Sequence, residues 1–176
     1  MAETVGLEVG DRAPAFTAPL VRPNGDVSDV PLEELLEDGP VLLAFYTADF
    51  SPDCVDEWCA FRDFDWFAAT DDVQVVGISK SGTRSHKQFI KRLSLQFPMY
   101  SDEDLSVAEA FDVKYKVFGL VERSRRSCFL IDTDRTIRYR WIGEHWLDPT
   151  RSVPPVDEIH EKLVEILDAD AATGAF

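Results

Sequence analysis

Two stretches of the chain are apolar almost without interruption, Val41 to Tyr46 and Val73 to Ser79. Runs of that length predict strands buried on both faces. Between them Ser51-Pro52 marks a helix start, with Ser51 near the N-cap and Pro52 in the first helical position. That helix is expected to run to about Ala69, where Thr70-Asp71-Asp72 stops it. Strand, helix, strand in this order predicts a right-handed crossover joining a parallel pair. Upstream, extended segments are expected over Phe16 to Leu20 and Val27 to Val30, then a short helix from Leu32 to Glu37 that ends at Asp38-Gly39-Pro40. Downstream the pattern predicts a helix over Ser85 to Leu93, an extended piece over Phe97 to Tyr100 and a helix over Ser106 to Phe111. A hairpin follows, Ser127 to Asp132 and Thr136 to Trp141 around Thr133-Asp134-Arg135. Val156, Ile159, Leu163 and Ile166 share one face of a closing helix, Pro155 to Leu167. Helices covering a mixed central sheet predict an α/β fold, a three-layer α/β/α sandwich.

At 176 residues and 45% hydrophobic content the chain suits one domain, residues 1–176, with one well-formed core. No apolar run approaches the roughly 18 residues of a membrane span, and no basic, apolar leader opens the chain. The expectation is a soluble, cytoplasmic protein whose three cysteines are reduced, catalytic or core thiols rather than structural disulfides. The formal charge of −15, from 33 acidic and 18 basic residues, argues against nucleic acid and against an anionic membrane as partners. Only six of the basic residues are lysines, and the acids are dispersed from Glu3 to Asp170. This pattern favours a surface kept soluble in high salt over that of an ordinary acidic cytosolic protein.

The charge pattern changes little about the chemistry, which rests on Cys54. The predicted elements place it in the first turn of a helix, facing unpaired backbone N–H groups and the positive end of the helix dipole. Such a position is expected to lower a thiol pKa from its usual value of about 8.5. Ser51, one turn earlier, has a hydroxyl that can cap the helix and also reach the sulfur. Arg126 opens an apolar strand, where a cation must be paired or purposeful, whereas Arg123 and Arg125 are expected to be solvated. Cys128 shares a strand face with Arg126 and is expected in the core. Glu57 is read as structural, capping the helix or orienting Arg62. In a continuous helix five residues rise about 7.5 Å and turn about 140°, which separates the Cα atoms of Cys54 and Cys59 by roughly 8 to 9 Å. A disulfide needs about 7 Å or less, so the two could bridge only if the helix unwound. A zinc site would need further ligands from His86, His145, His160 or Cys128, which are scattered.

The run from Phe45 to Asp63 resembles the active-site segment of the peroxiredoxins, thiol peroxidases of the thioredoxin-like fold. Their signature is Pro, three residues, Thr or Ser, two residues, Cys. Ser51 and Cys54 match it, and Thr47 stands where the family has Pro. The aromatic pair Phe45-Tyr46, then Asp49-Phe50, Pro52, Glu57, Cys59 and Phe61-Arg62-Asp63 are similar to the Q-type or bacterioferritin-comigratory subgroup. The likeness extends to Gly10 through Phe16, Val75 through Ser79, Phe97-Pro98, Ser101-Asp102 and Arg126 through Asp132. It implies a thioredoxin-like fold and a thiol peroxidase in which Cys54 attacks the peroxide and becomes a sulfenic acid. It further implies that Cys59 resolves that acid and that Arg126 steadies the thiolate and the breaking O–O bond.

In the family the Pro shields the thiolate, so Thr47 is expected to leave Cys54 more hydrated. The substrates implied are hydrogen peroxide and small organic hydroperoxides, with electrons from thioredoxin or a similar dithiol, no metal or organic cofactor, and a monomer or weak homodimer as the working form. Two other functions fit the same residues: a thioredoxin-like redox sensor with little turnover, and a dithiol oxidoreductase acting on proteins. The latter's usual motif has two residues between its cysteines, and here there are four.

Overall fold

The computed structural model describes residues 6–143 and 154–173. Nine strands and six helices alternate along them. The first half contains β1 (Thr17–Val21), β2 (Val27–Pro31), α1 (Leu32–Leu36), β3 (Val41–Phe45), α2 (Pro52–Asp63), α3 (Asp65–Ala69), β4 (Gln74–Ser79) and α4 (Thr83–Leu93). The second contains β5 (Met99–Ser101), α5 (Ser106–Ala110), β6 (Lys114–Val117), β7 (Val121–Ser124), β8 (Ser127–Ile131), β9 (Ile137–Ile142) and α6 (Val156–Thr173). Seven strands form one mixed sheet in the order β2-β1-β5-β4-β3-β8-β9. β3, β4 and β5 run parallel, while β1, β8 and β9 join antiparallel to their neighbours. β6 and β7 pair only with each other.

The unbroken apolar runs are explained by helices on both sides of the sheet. Along β3, Val41, Leu43 and Phe45 enter one apolar cluster with Leu32 and Leu36 of α1 and Val107 and Ala108 of α5. Leu42, Ala44 and Tyr46 enter the opposite cluster with Trp58 of α2, Phe67 of α3, Phe89 of α4 and Leu163 of α6. Successive side chains of a strand point to opposite faces, so a strand covered twice has no polar positions to show. The three-layer thioredoxin-like α/β arrangement expected from the sequence is therefore present. α2 sits close against β4, because a Cβ on Gly77 would lie 2.7 Å from the Trp58 ring. No described helix is long and apolar enough to cross a membrane.

Three elements differ from expectation. The helix predicted from Ser51 to Ala69 is broken at Phe64, whose backbone is extended at φ −87°, ψ 99°. The break lets Phe64, Trp66 and Phe67 pack around His160 of α6, and this tertiary contact outweighs an uninterrupted helical sequence pattern. The hairpin β6–β7 lies outside the elements that the sequence pattern predicts. α6 runs on to Thr173 because the residues after Leu167 include good helix formers and no breaker.

Candidate active site

β3 leads through the buried Tyr46 into a loop, residues 47–51, that delivers the chain to α2. Phe50 adopts the left-handed region at φ 63°, the turn that brings Ser51 to the N-cap with extended backbone, φ −68°, ψ 142°. Ser51 makes no side-chain capping bond, which corrects half of what its position suggested. Its hydroxyl instead hydrogen-bonds Cys54 and lowers that thiol's pKa, as does the backbone N–H of Ala48. Cys54 is fully buried in the first turn of α2.

Arg126 arrives from the far end of the chain, between β7 and β8, and is only 1% exposed. Its Nη2 donates to Cys54 Sγ at 2.8 Å and its Nη1 to Glu57 Oε2 at 2.5 Å. One guanidinium thus bridges two acidic groups one helical turn apart on α2. Glu57 is fully buried, and its second oxygen, Oε1, has no partner among the described residues. Glu57 accordingly orients Arg126 and not Arg62, which pairs with Asp63 at 2.7 Å and donates to the Leu93 carbonyl at 2.8 Å.

The electrostatics correct the simple helix-start argument. Burial pushes the Cys54 thiol up, and the charge of Glu57 pushes it further. Arg126, the Ala48 N–H and the Ser51 hydroxyl pull it down, without reversing the net direction. Burial also lifts Glu57, against the pull of Arg126, to about 7. Near neutrality Glu57 therefore holds a proton for part of the time, and in that form it no longer opposes a thiolate beside it.

A second buried network fastens the loop. The Asp49 carboxylate accepts hydrogen bonds from Tyr46 Oη at 2.6 Å and Ser85 Oγ at 2.8 Å and lies 2.9 Å from His86 Nδ1, while its backbone N–H donates to Ser81 Oγ at 2.9 Å. His86 Nε2 donates to the Tyr100 carbonyl at 3.0 Å. Loop 47–51 is thereby tied to α4 and to the ends of β4 and β5, and the Ala48 N–H is held toward the sulfur. Sequence reasoning misses this network, because its central Asp49–His86 tie spans 37 residues and leaves no periodic trace. Thr47, in the same loop, has a buried Oγ1 with no partner among the described residues.

The remaining thiols differ in setting. Cys59 lies on the same uninterrupted helix α2, half-buried, and is a free thiol like Cys54 and Cys128. Cys128 is fully buried in β8 between Ala44 of β3 and Trp141 of β9, and burial raises its pKa well above the usual value, with Glu57 adding to the rise. Arg125 is half-buried and lies over the Tyr115 ring, so it is not simply solvated. Among the described residues no three His, Cys, Asp or Glu side chains gather as a metal site, and His145 lies outside those residues.

The sequence and the fold both have counterparts among known proteins. The AhpC/TSA family matches residues 9–140. A putative peroxiredoxin of Mycobacterium tuberculosis is 35% identical over 133 residues, which span 74% of this chain and 82% of that protein. The peroxiredoxin Bcp of Bacillus subtilis is 29% identical over 165 residues, 92% of this chain and 96% of the relative. In three dimensions the crystal structure of peroxidoxin BcpB from Mycobacterium tuberculosis superposes with a TM-score of 0.74 at 32% identity, covering 91% of this chain and 98% of that one. A buried thiol at a helix start, held by a buried arginine on a mixed seven-stranded sheet, is thus found in a chain that belongs to the AhpC/TSA family, the peroxiredoxins.

Proposed function

We propose that Cys54 is the group with which this thiol-dependent peroxidase attacks its substrate, that Cys59 resolves the product, and that Arg126 and Ser51 serve the first step. The observation that carries the reading is the 2.8 Å contact between Arg126 Nη2 and Cys54 Sγ in a site closed to water. The Cys54 thiolate attacks one oxygen of a hydroperoxide. The S–O bond forms as the O–O bond breaks, and the leaving hydroxide or alkoxide takes up a proton to depart as water or alcohol. Arg126 and the Ala48 N–H face the reacting sulfur, where preorganised donors stabilise shifting negative charge. The Thr47 hydroxyl in the adjoining loop, which has no partner among the described residues, is available to a bound peroxide.

The Cys59 thiol then displaces hydroxide from the Cys54 sulfenic acid, giving a Cys54–Cys59 disulfide and water. Both residues lie in α2, so the first turns of that helix must open for the sulfurs to meet. An external dithiol, thioredoxin or one like it, returns two electrons and two protons. Cys54→Ser is expected to abolish peroxide reduction. Cys59→Ser is expected to consume one equivalent and stop at the sulfenic acid. Undiminished turnover in Cys54→Ser would sink the assignment, and a single equivalent consumed by the wild type with excess dithiol would favour a redox sensor.

A further inference from the structure

We propose that the hairpin β6–β7 is the surface on which an acidic dithiol protein docks to reduce the Cys54–Cys59 pair, an inference that rests on the peroxidase reading above. Its tip is built against the usual preferences. The Leu120 N–H donates to the Val117 carbonyl at 3.0 Å, and the two residues so enclosed, Phe118 and Gly119, both have positive φ, 50° and 69°. Glycine suits such a turn. A phenylalanine does not, and Asn, Asp or Gly normally stands in its place.

Phe118 is 95% exposed, Leu120 86% and Val121 46%, three apolar side chains at the end of one projection. Residues that break both backbone and burial rules together mark a contact made elsewhere. The flanks point to the character of that contact. Within the hairpin Lys114, Lys116 and Arg123 accompany one carboxylate, Glu122, which lies 3.9 and 4.0 Å from the two lysines; Lys114 also pairs at its base with Glu109 of α5 at 3.3 Å, so the net positive charge is carried by Lys116 and Arg123. In a chain of net charge −15 this is a cationic, apolar-tipped projection on a predominantly acidic molecule.

Placement links the hairpin to catalysis. β7 ends at Ser124, two residues before Arg126, which touches Cys54. Strands of four residues reach about 13 Å from that base, and a protein of about 100 residues has a radius of gyration near 13 Å. A dithiol protein with its reactive sulfur at α2 would therefore meet the tip. An acidic partner is repelled by the rest of this surface and attracted here, which orients its approach. A second copy of this chain using the same hairpin in a two-fold contact would set cations against cations.

The test compares two reductants, a small acidic thioredoxin and dithiothreitol, which has no protein surface. Phe118→Ser/Leu120→Ser is expected to lower kcat/KM for thioredoxin at least about tenfold and to leave turnover with dithiothreitol unchanged. Lys116→Glu/Arg123→Glu is expected to weaken the decline of the thioredoxin rate with rising salt. Unchanged thioredoxin kinetics in both variants would overturn the proposal. An equal loss with both reductants would show that the hairpin acts by holding Arg126, and would overturn it too. A wild-type dimer that these substitutions split, with thioredoxin kinetics intact, would make a second copy the occupant. Failure of the wild type to turn over with either reductant would instead remove the peroxidase reading on which the proposal stands.

Discussion

Cys54 and Cys128 are the same chemical group in nearly the same surroundings. Both are 0% exposed, both belong to the apolar cluster beneath α2, and burial followed by the charge of Glu57 raises the pKa of each. The difference lies in the donors. Cys54 receives Arg126, the Ala48 N–H and the Ser51 hydroxyl, whereas no group among the described residues lowers Cys128. Arg126 stands two residues from Cys128 in sequence and donates to the sulfur 72 residues away. Burial by itself makes a cysteine inert; directed hydrogen bonds in the same dry space distinguish a reagent from a core side chain.

Removing those donors should erase the distinction, and the largest effect is expected at Arg126. Arg126→Ala should lower the second-order rate with peroxide by about 10²- to 10³-fold. It also strands the buried Glu57, so Arg126→Ala/Glu57→Gln is the control that separates lost catalysis from lost folding. A loss of less than threefold in the folded double variant would leave Arg126 a structural residue.

Next in size is the motion that the disulfide requires. Amide exchange over residues 52–63 should be slow in the reduced protein and fast once Cys54 and Cys59 are joined, with β3 and β4 little changed. Equal protection in both redox states, with that disulfide verified by mass, would contradict the unwinding of α2.

A smaller effect is expected at Glu57. Its pKa of about 7 in the folded protein stands above the roughly 4.3 of an unfolded chain. The folded state therefore holds the extra proton. The associated stability is present below pH about 4.3 and is lost as pH rises through about 7, by an amount on the order of 4 kcal/mol at most. Denaturant titrations of Glu57→Gln should lack this slope, and the Cys54 thiolate, followed by its ultraviolet absorbance, should form at lower pH than in the wild type. A Cys54 titration unmoved by the substitution would mean that Glu57 acts only as a brace for Arg126.

Local signals explain what the sequence could reveal of this arrangement. β3, β4 and β8 announce themselves because strands covered on both faces are apolar throughout, and Ser51-Pro52 marks the start of α2 by chemistry confined to two residues. The spacing of Ser51, Cys54, Cys59 and Arg126 could be read from family likeness. The partners of those residues could not. Glu57 meets Arg126 across 69 positions, and the Asp49–His86 tie spans 37, so neither leaves a periodic trace. The β6–β7 hairpin escaped notice because Phe118-Gly119 carries half of a turn signal and its strands are four residues each. The break at Phe64 has no glycine or proline to announce it and follows from aromatic packing on α6.

If hydrogen bonding, and not burial, selects one of the two buried thiols, thiol mapping after a single equivalent of hydrogen peroxide will reveal it. Two free thiols should be lost, a peptide cross-link should join Cys54 and Cys59, and Cys128 should be recovered as a free thiol after unfolding in the presence of a labelling reagent. Oxidation at Cys128, or Cys54 recovered reduced while peroxide is consumed, would contradict selection by hydrogen bonding.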